Sequence, residues 1–227
     1  MHMSKAPSAV LAAYRFARAF YRRLRRRSVF EEIYDANLWG DRESRSGSGS
    51  GLAATEKIRA GLIDILARLN IRSMIDAPCG DYYWLSSLDL AHRLDWYAGY
   101  DIVATAIEHN RQSWGSDKIS FEVRDLVKHA PPAADLILCR HLLIHLPLAD
   151  CLKVLRNFKS SGSRYLMITN QPHIEKNDEI LFTGSFRPLN LHLPPFGFPK
   201  PLLSVDDAQA PGDRSEASLF PLADLPL

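Results

Sequence analysis

S-M-I-D-A-P-C-G-D-Y-Y-W, residues 73–84, is the stretch whose reading decides the fold. The apolar pair Met74-Ile75 runs into Asp76. A tight Pro78-Cys79-Gly80 turn follows, and then a second acid, Asp81. An apolar strand ending in a glycine turn is how a nucleotide-binding α/β sheet begins. The two acids restrict the nucleotide, because a dinucleotide or ATP site sets phosphates against this turn and carboxylates would repel them.

Working outward, three further strands are predicted. Residues 96–100, W-Y-A-G-Y, end at Asp101, roughly 20 residues past the glycine turn, the distance at which a carboxylate takes a ribose hydroxyl pair. Residues 119–123, I-S-F-E-V, end at Arg124-Asp125. Residues 135–139, D-L-I-L-C, are nearly all apolar, as a strand buried on both faces should be. Asp76, Asp101 and Asp125 thus stand at the carboxyl ends of successive parallel strands, the edge at which open α/β sheets bind ligands. An adenosine ligand with a cationic end and no phosphate suits such acids. S-adenosyl-L-methionine, with its ammonium and sulfonium, is one.

On these residues the chain resembles the class I S-adenosylmethionine-dependent methyltransferases over residues 55–171. The resemblance implies a Rossmann-like, doubly wound, mostly parallel sheet. It also implies that Asp76 and Gly80 hold the methionine end, Asp101 the ribose, and Asp125 the adenine amine. Ala77, Pro78, Cys79 and Trp84 of the first turn, Ile102, Leu126, and the strand-end pair Cys139 and Arg140 complete the implied cofactor set. The family's first turn carries three alternating glycines. Here only the middle one, Gly80, is glycine, and Pro78 and Tyr82 take the other two places.

The block E-S-R-S-G-S-G-S-G, residues 43–51, reads either as a flexible linker or as a loop closing over the cofactor. In the second reading, backbone amides and the hydroxyls around Ser46, Gly47 and Ser50 meet the methionine carboxylate. With Trp39-Gly40 ahead of it, the block is similar to one in small methyltransferases that modify sugars of bacterial surface glycans. Helices are predicted over residues 30–37, behind Ser28, over 55–69 with Thr55 as N-cap, and from Pro147 to about Lys159. A fifth strand is predicted over residues 165–169.

Transfer to a hydroxyl needs alignment and a base. His145, His141 and His173 lie just past the fourth and fifth strands, and histidine ordinarily titrates near working pH. His145 is the first choice. The sequence offers no compact metal-ligand spacing. The proline-rich block over residues 186–201 cannot be a central strand. It is either an ordered extended segment or a mobile lid, and P-P-F-G-F-P, residues 194–199, with Arg187, Asn190 and His192 offers an apolar acceptor wall with a few polar hands. Residues 217–220 are expected to return as an antiparallel edge strand.

With 227 residues, 46% hydrophobic and 24% charged, the chain suits one soluble globular domain. Three parts are expected within it: residues 1–54, a basic helix and the Ser/Gly-rich loop; 55–173, the cofactor-binding core; and 174–227, the proline-rich substrate side. No apolar run reaches the roughly 20 residues that span a bilayer. The start lacks an export signal, and Cys79, Cys139 and Cys151 form no disulfide framework, so a cytoplasmic setting is expected. Residues 1–30 hold Lys5 and seven arginines with no acid, +8 in all, so the remainder carries −6 of the net +2. The apolar residues recur at helical period. Residues 8–27 therefore either pack on the core or lie on an anionic membrane such as the inner membrane face.

The function read from the sequence is O-methylation of a sugar, glycan or other small hydroxyl compound. The alternatives are a nucleic-acid methyltransferase using the arginine-rich helix, and a non-catalytic S-adenosylmethionine-binding domain. The sequence offers no track of basic and stacking residues of the kind a nucleic-acid channel uses.

Overall fold

The computed structural model describes residues 25–210 and 212–227. The basic segment expected over residues 8–27 lies outside them as far as residue 24. Among the described residues one sheet of seven strands forms in the order β3-β2-β1-β4-β5-β7-β6. The strands are β1 Ser73–Asp76, β2 Trp96–Asp101, β3 Ile119–Val123, β4 Leu136–Cys139, β5 Tyr165–Asn170, β6 Leu203–Asp206 and β7 Glu216–Pro221. The first five run parallel, while β7 pairs antiparallel with both β5 and β6. The expected Rossmann-like mixed sheet is therefore the architecture.

Burial explains the strand sequences. Leu136, Ile137, Leu138 and Cys139 of β4 are inaccessible, because β1 and β5 flank it and helices cover both faces. On one face lies α2, Glu56–Arg68, which buries Ile58, Leu62, Ile65 and Leu66 at helical spacing. On the other lie α1, Arg26–Asp35, and α5, Leu148–Ser160, whose Val154, Leu155 and Phe158 enter a second cluster with Ile75 and Ile137. Between them in the chain are the short α3, Leu90–Arg93, and α4, Ala104–Trp114.

Several local expectations change. The strand predicted over residues 217–220 exists but is not the edge: β6 pairs outside it. Helix α1 begins at Arg26, so Ser28 lies inside it rather than capping it. Thr55 does not cap α2 with its side chain. Its hydroxyl turns back to donate to the Gly51 carbonyl at 2.9 Å. The proline-rich segment is ordered across the end of β5, extended up to Asn190 and turning over residues 191–196. There Asn170 Oδ1 and Gln171 Oε1 accept the Leu191 and Leu189 amides at 2.9 and 2.7 Å. Buried Leu189, Leu191, Phe196 and Phe198 anchor that segment to the core.

Candidate functional site

The order of strands reverses between β1 and β4, and crevices form at such a switch point. A cavity of about 520 Å³ opens there, at the carboxyl ends of the parallel strands. Asp76, Pro78, Cys79, Gly80, Trp84, Asp101, Ile102, Asp125, Leu126, Arg140, Ser46, Gly47, Ser50, His141, His145 and His173 all line it. Ala77 and Cys139 do not. Both are wholly buried in the core, because they lie within or beside the strands rather than beyond their ends.

The first turn is built around Gly80, whose φ of +51° lies in the left-handed region. Its amide donates to Asp101 Oδ2 at 3.0 Å, and Asp101 Oδ1 accepts the Val103 amide at 2.9 Å. This ties the ends of β1 and β2 together. Tyr82, at the third glycine place of the family pattern, keeps a left-handed backbone at φ +58°. That conformation costs a side-chain residue about 1–2 kcal/mol. The Tyr82 ring offsets it by packing on Tyr97 and Phe121, with centroids 5.0 and 5.1 Å away. The turn thus keeps its backbone without the glycine.

Two carboxyls at this turn are buried. Asp76 accepts the Tyr97 hydroxyl at 3.0 Å. Burial pushes its pKa well above the usual carboxylate range. The Tyr97 hydrogen bond opposes the rise, Asp101 adds to it, and Arg140 opposes it. Burial also raises Asp101, against the pull of the Val103, Gly80 and Ile102 amides. The cations that line the cavity are already engaged among the described residues. Arg26 bridges Asp125 at 3.0 Å and buried Asp150 at 2.9 Å. Arg124 meets Glu122 at 3.0 Å and lies over the Tyr100 ring. Arg140 is bidentate to Asp207 and lies over Trp84. The cavity therefore has unmatched acid at its floor, which suits a cationic ligand and not a phosphate.

At the end of the basic segment and the start of the next helix, Arg26 and Phe30 pack in as cavity walls. Asp150 and Asp207 are the counterions that sequence reading missed. Neither sits at a strand end in a recognisable motif, and each meets its arginine only through long-range packing.

The Ser/Gly-rich block is a cavity wall, not a free linker. Asp81 accepts the Ser44 hydroxyl at 2.9 Å and the Arg45 amide at 2.8 Å, while its own amide donates to Ser46 Oγ at 3.0 Å. Glu43 closes the base of the loop by accepting the Leu52 amide at 3.0 Å. The fit is close: a Cβ on Gly80 would stand 2.2 Å from Ser46 Oγ.

The three histidines differ. His145 Nδ1 lies 3.0 Å from the Ser185 carbonyl, which can only accept, so Nδ1 carries the proton and Nε2 the lone pair. Its ring stacks on Trp39 at 5.2 Å. Burial pushes its pKa down to about 4, against the Ser185 hydrogen bond, so it is neutral rather than poised near its ordinary value. His141 has a left-handed backbone, φ +56°. Its Nε2 lies 2.8 Å from the Gln209 amide nitrogen and 3.4 Å from Asp207 Oδ2, and burial, with Arg140 beside it, lowers its pKa as well. His173 contributes to the rim.

The expected polar hands of the proline-rich block do not reach the cavity. Arg187 donates to the Leu143, Leu146 and Asp178 carbonyls at 3.0, 2.8 and 2.7 Å. Asn190 binds the Pro172 and Ile174 carbonyls. His192 Nδ1 lies 3.1 Å from the Phe198 carbonyl. The expected apolar wall of residues 194–199 does not reach the cavity either, since its Phe196 and Phe198 are buried in the core; Phe186 and Pro188 are what the block gives the cavity.

No protein-family model and no curated protein matches the sequence. Solved structures do match in shape. One is the S-adenosylmethionine-dependent methyltransferase SibL in its apo form, with 13% identity and a TM-score of 0.51 over 74% of this chain and 55% of that one. The fold is the Rossmann-like fold of methyltransferases. LaPhzM gives the same TM-score and coverage at 15% identity. The chain thus spans about half the length of either. The methyltransferase domain of bacterial CtHen1-C matches 54% of this chain and 71% of its own, with 15% identity and a TM-score of 0.47. Among the described residues no helix is long and apolar enough to cross a membrane.

Proposed function

We propose that this chain is an S-adenosylmethionine-dependent methyltransferase that acts on a hydroxyl of a small compound, with a sugar or glycan as the favoured acceptor. The observation that carries this reading is the pairing of Asp101 with the Gly80 amide on the floor of an acid-lined cavity in a methyltransferase fold.

Asp101 is the residue for the ribose hydroxyls, and its burial makes a charge-assisted hydrogen bond there strong. Asp76 faces the ammonium, and the amides and hydroxyls of residues 46–50 face the carboxylate. Asp125 remains the candidate for the adenine amine, with its charge held in place by Arg26. When bound, the cofactor supplies a methyl carbon activated by its sulfonium. The chain's part is then to align the acceptor and to take its proton. His145 does the second: its Nδ1–H is fixed on the Ser185 carbonyl, which turns the Nε2 lone pair toward the acceptor. The His141 Nε2 is engaged with Gln209 and Asp207, which leaves it less available to an acceptor and makes His141 a holder of the β4 end.

An anionic membrane surface is the partner proposed for the basic amino-terminal segment ahead of Arg26. It is tested by sedimentation with vesicles rich in phosphatidylglycerol. A nucleic-acid acceptor is disfavoured, because the cavity's described cations are engaged with carboxylates. Methyl transfer from labelled cofactor to a panel of free sugars and glycosides tests the enzymatic reading. Binding of S-adenosylhomocysteine without transfer to any acceptor would instead favour a non-catalytic binding domain.

A further inference from the structure

Three rings line one wall of the cavity and continue to its mouth. Trp39 stacks on His145 with centroids 5.2 Å apart and planes 27° apart, and Phe186 flanks His145 at 6.2 Å. Trp39 is 36% exposed and Phe186 65%, unusually open for such side chains. Each is held by its backbone rather than left loose. The turn before Trp39 is closed by the Leu38 amide on the Ile33 carbonyl at 2.9 Å. Behind Phe186, the Gly184 amide donates to the His145 carbonyl at 2.9 Å and the Arg187 amide to the Ile144 carbonyl at 3.1 Å. The exposed ring faces are thus carried on fixed strands of chain beside the proposed base.

Charge restricts what they receive. Besides Asp125, which Arg26 engages, Asp81, Asp101 and Asp213 line the cavity, and its described arginines are each matched to a carboxylate. A phosphate or carboxylate on the acceptor would meet these acids with no spare counterion among the described residues. Flat, exposed aromatic faces favour the opposite kind of ligand, one with a ring whose C–H or π face can stack.

We infer that Trp39, His145 and Phe186 form an acceptor subsite for an uncharged ring-bearing hydroxyl compound, an aryl or glycosyl ring without phosphate or carboxylate. The inference rests on the methyltransferase reading and deepens it. It disfavours nucleotide sugars as acceptors, since their diphosphate finds no unmatched arginine among the described cavity residues. Trp39 and Phe186 act as specificity residues that hold the ring, and the hydroxyl lies against His145 Nε2.

The test uses two probes with the same ring and different charge, 2-naphthyl β-D-glucopyranoside and 2-naphthyl phosphate. Their fluorescence anisotropy is followed on the full chain saturated with S-adenosylhomocysteine. Saturation is first shown by calorimetry, so failure of the cofactor reading is seen separately from failure of the subsite. The expected result is that the glucoside binds at least tenfold more tightly than the phosphate. Trp39→Ala and Phe186→Ala should each weaken the glucoside at least fivefold, while Trp39→Phe restores most of it and S-adenosylhomocysteine affinity stays within twofold. Equal or tighter binding of the phosphate would overturn the inference. So would no binding of the glucoside to the loaded chain, or unchanged glucoside binding in both alanine variants.

Discussion

The Arg140 guanidinium grips the Asp207 carboxylate at two points, Nη2 to Oδ1 at 2.7 Å and Nε to Oδ2 at 2.9 Å, with both side chains buried. This pair fastens the end of β4, where the cavity opens, to the chain just after β6. Removing one member leaves the other charge buried without a counterion. Asp207→Ala is therefore expected to destabilise the chain by about 3–5 kcal/mol, read as a lower urea midpoint. A loss below about 1 kcal/mol would mean that water reaches the guanidinium and the pair contributes little.

Acid should destabilise the protein in a window set by His145. Its folded pKa is pushed down to about 4 by burial, below the unfolded value near 6.5. Between those values the unfolded chain binds the proton and the folded chain does not. The penalty is absent above pH 6.5 and grows as the pH falls, up to about 3 kcal/mol near pH 4. His141 is shifted in the same direction. Denaturation midpoints measured from pH 7.5 to 4 should fall, and His145→Gln should flatten part of that fall. The same shift moves the acid limb of the methyl-transfer rate toward pH 4, below the value an ordinary histidine base would give.

The loop over the first turn depends on Asp81. Asp81→Ala removes the acceptor of the Ser44 hydroxyl and the Arg45 amide, bonds worth on the order of 1.5–3 kcal/mol when charge-assisted. Gly80→Ala sets a Cβ against Ser46 Oγ and strains a left-handed backbone. Both variants should speed amide exchange over residues 44–50 at least tenfold and weaken S-adenosylhomocysteine binding, while α2 and β4 stay protected. Parental exchange rates in both variants would separate the loop from the turn.

Much of this site was legible in the sequence, and the reason is local. Asp76, Gly80 and Asp101 sit at strand ends that apolar runs announce, and parallel pairing brings successive strand ends to one edge. What stayed hidden depends on contacts made across the chain. Arg26 reads as one more arginine of a basic face, and only the packing of α1 turns it onto Asp125 and Asp150. Strand β6 escaped because Leu203–Asp206 is four residues long, follows a proline-rich stretch and is only half-buried. The polar residues of the proline-rich block read as ligand contacts because composition does not reveal which carbonyls they must satisfy. Arg187, Asn190 and His192 serve backbone carbonyls instead.

Cofactor binding should release protons. In the free chain burial raises Asp76 well above the usual carboxylate range. An ammonium placed beside it favours the ionised form, so binding lowers that pKa and expels a proton. Affinity for S-adenosylhomocysteine should then rise with pH over the range in which free Asp76 titrates. Calorimetry at one pH in buffers of different ionisation enthalpy should show a net release. A binding heat independent of the buffer would place the ammonium away from Asp76.

The central claim is that the end of β2 holds the ribose of an S-adenosyl cofactor, and titration of S-adenosylhomocysteine into the chain and its Asp101→Ala variant tests it most directly. Asp101 loses a charge-assisted hydrogen-bond pair in the variant, about 1.5–3 kcal/mol, or roughly 10- to 150-fold in Kd. Thermal melts of the variant control for the structural bonds Asp101 makes to Gly80 and Val103. The account predicts saturable binding to the parent chain and a loss of that size in a folded variant. A parent chain that binds no S-adenosylhomocysteine, or a variant that binds it as tightly as the parent, would contradict it.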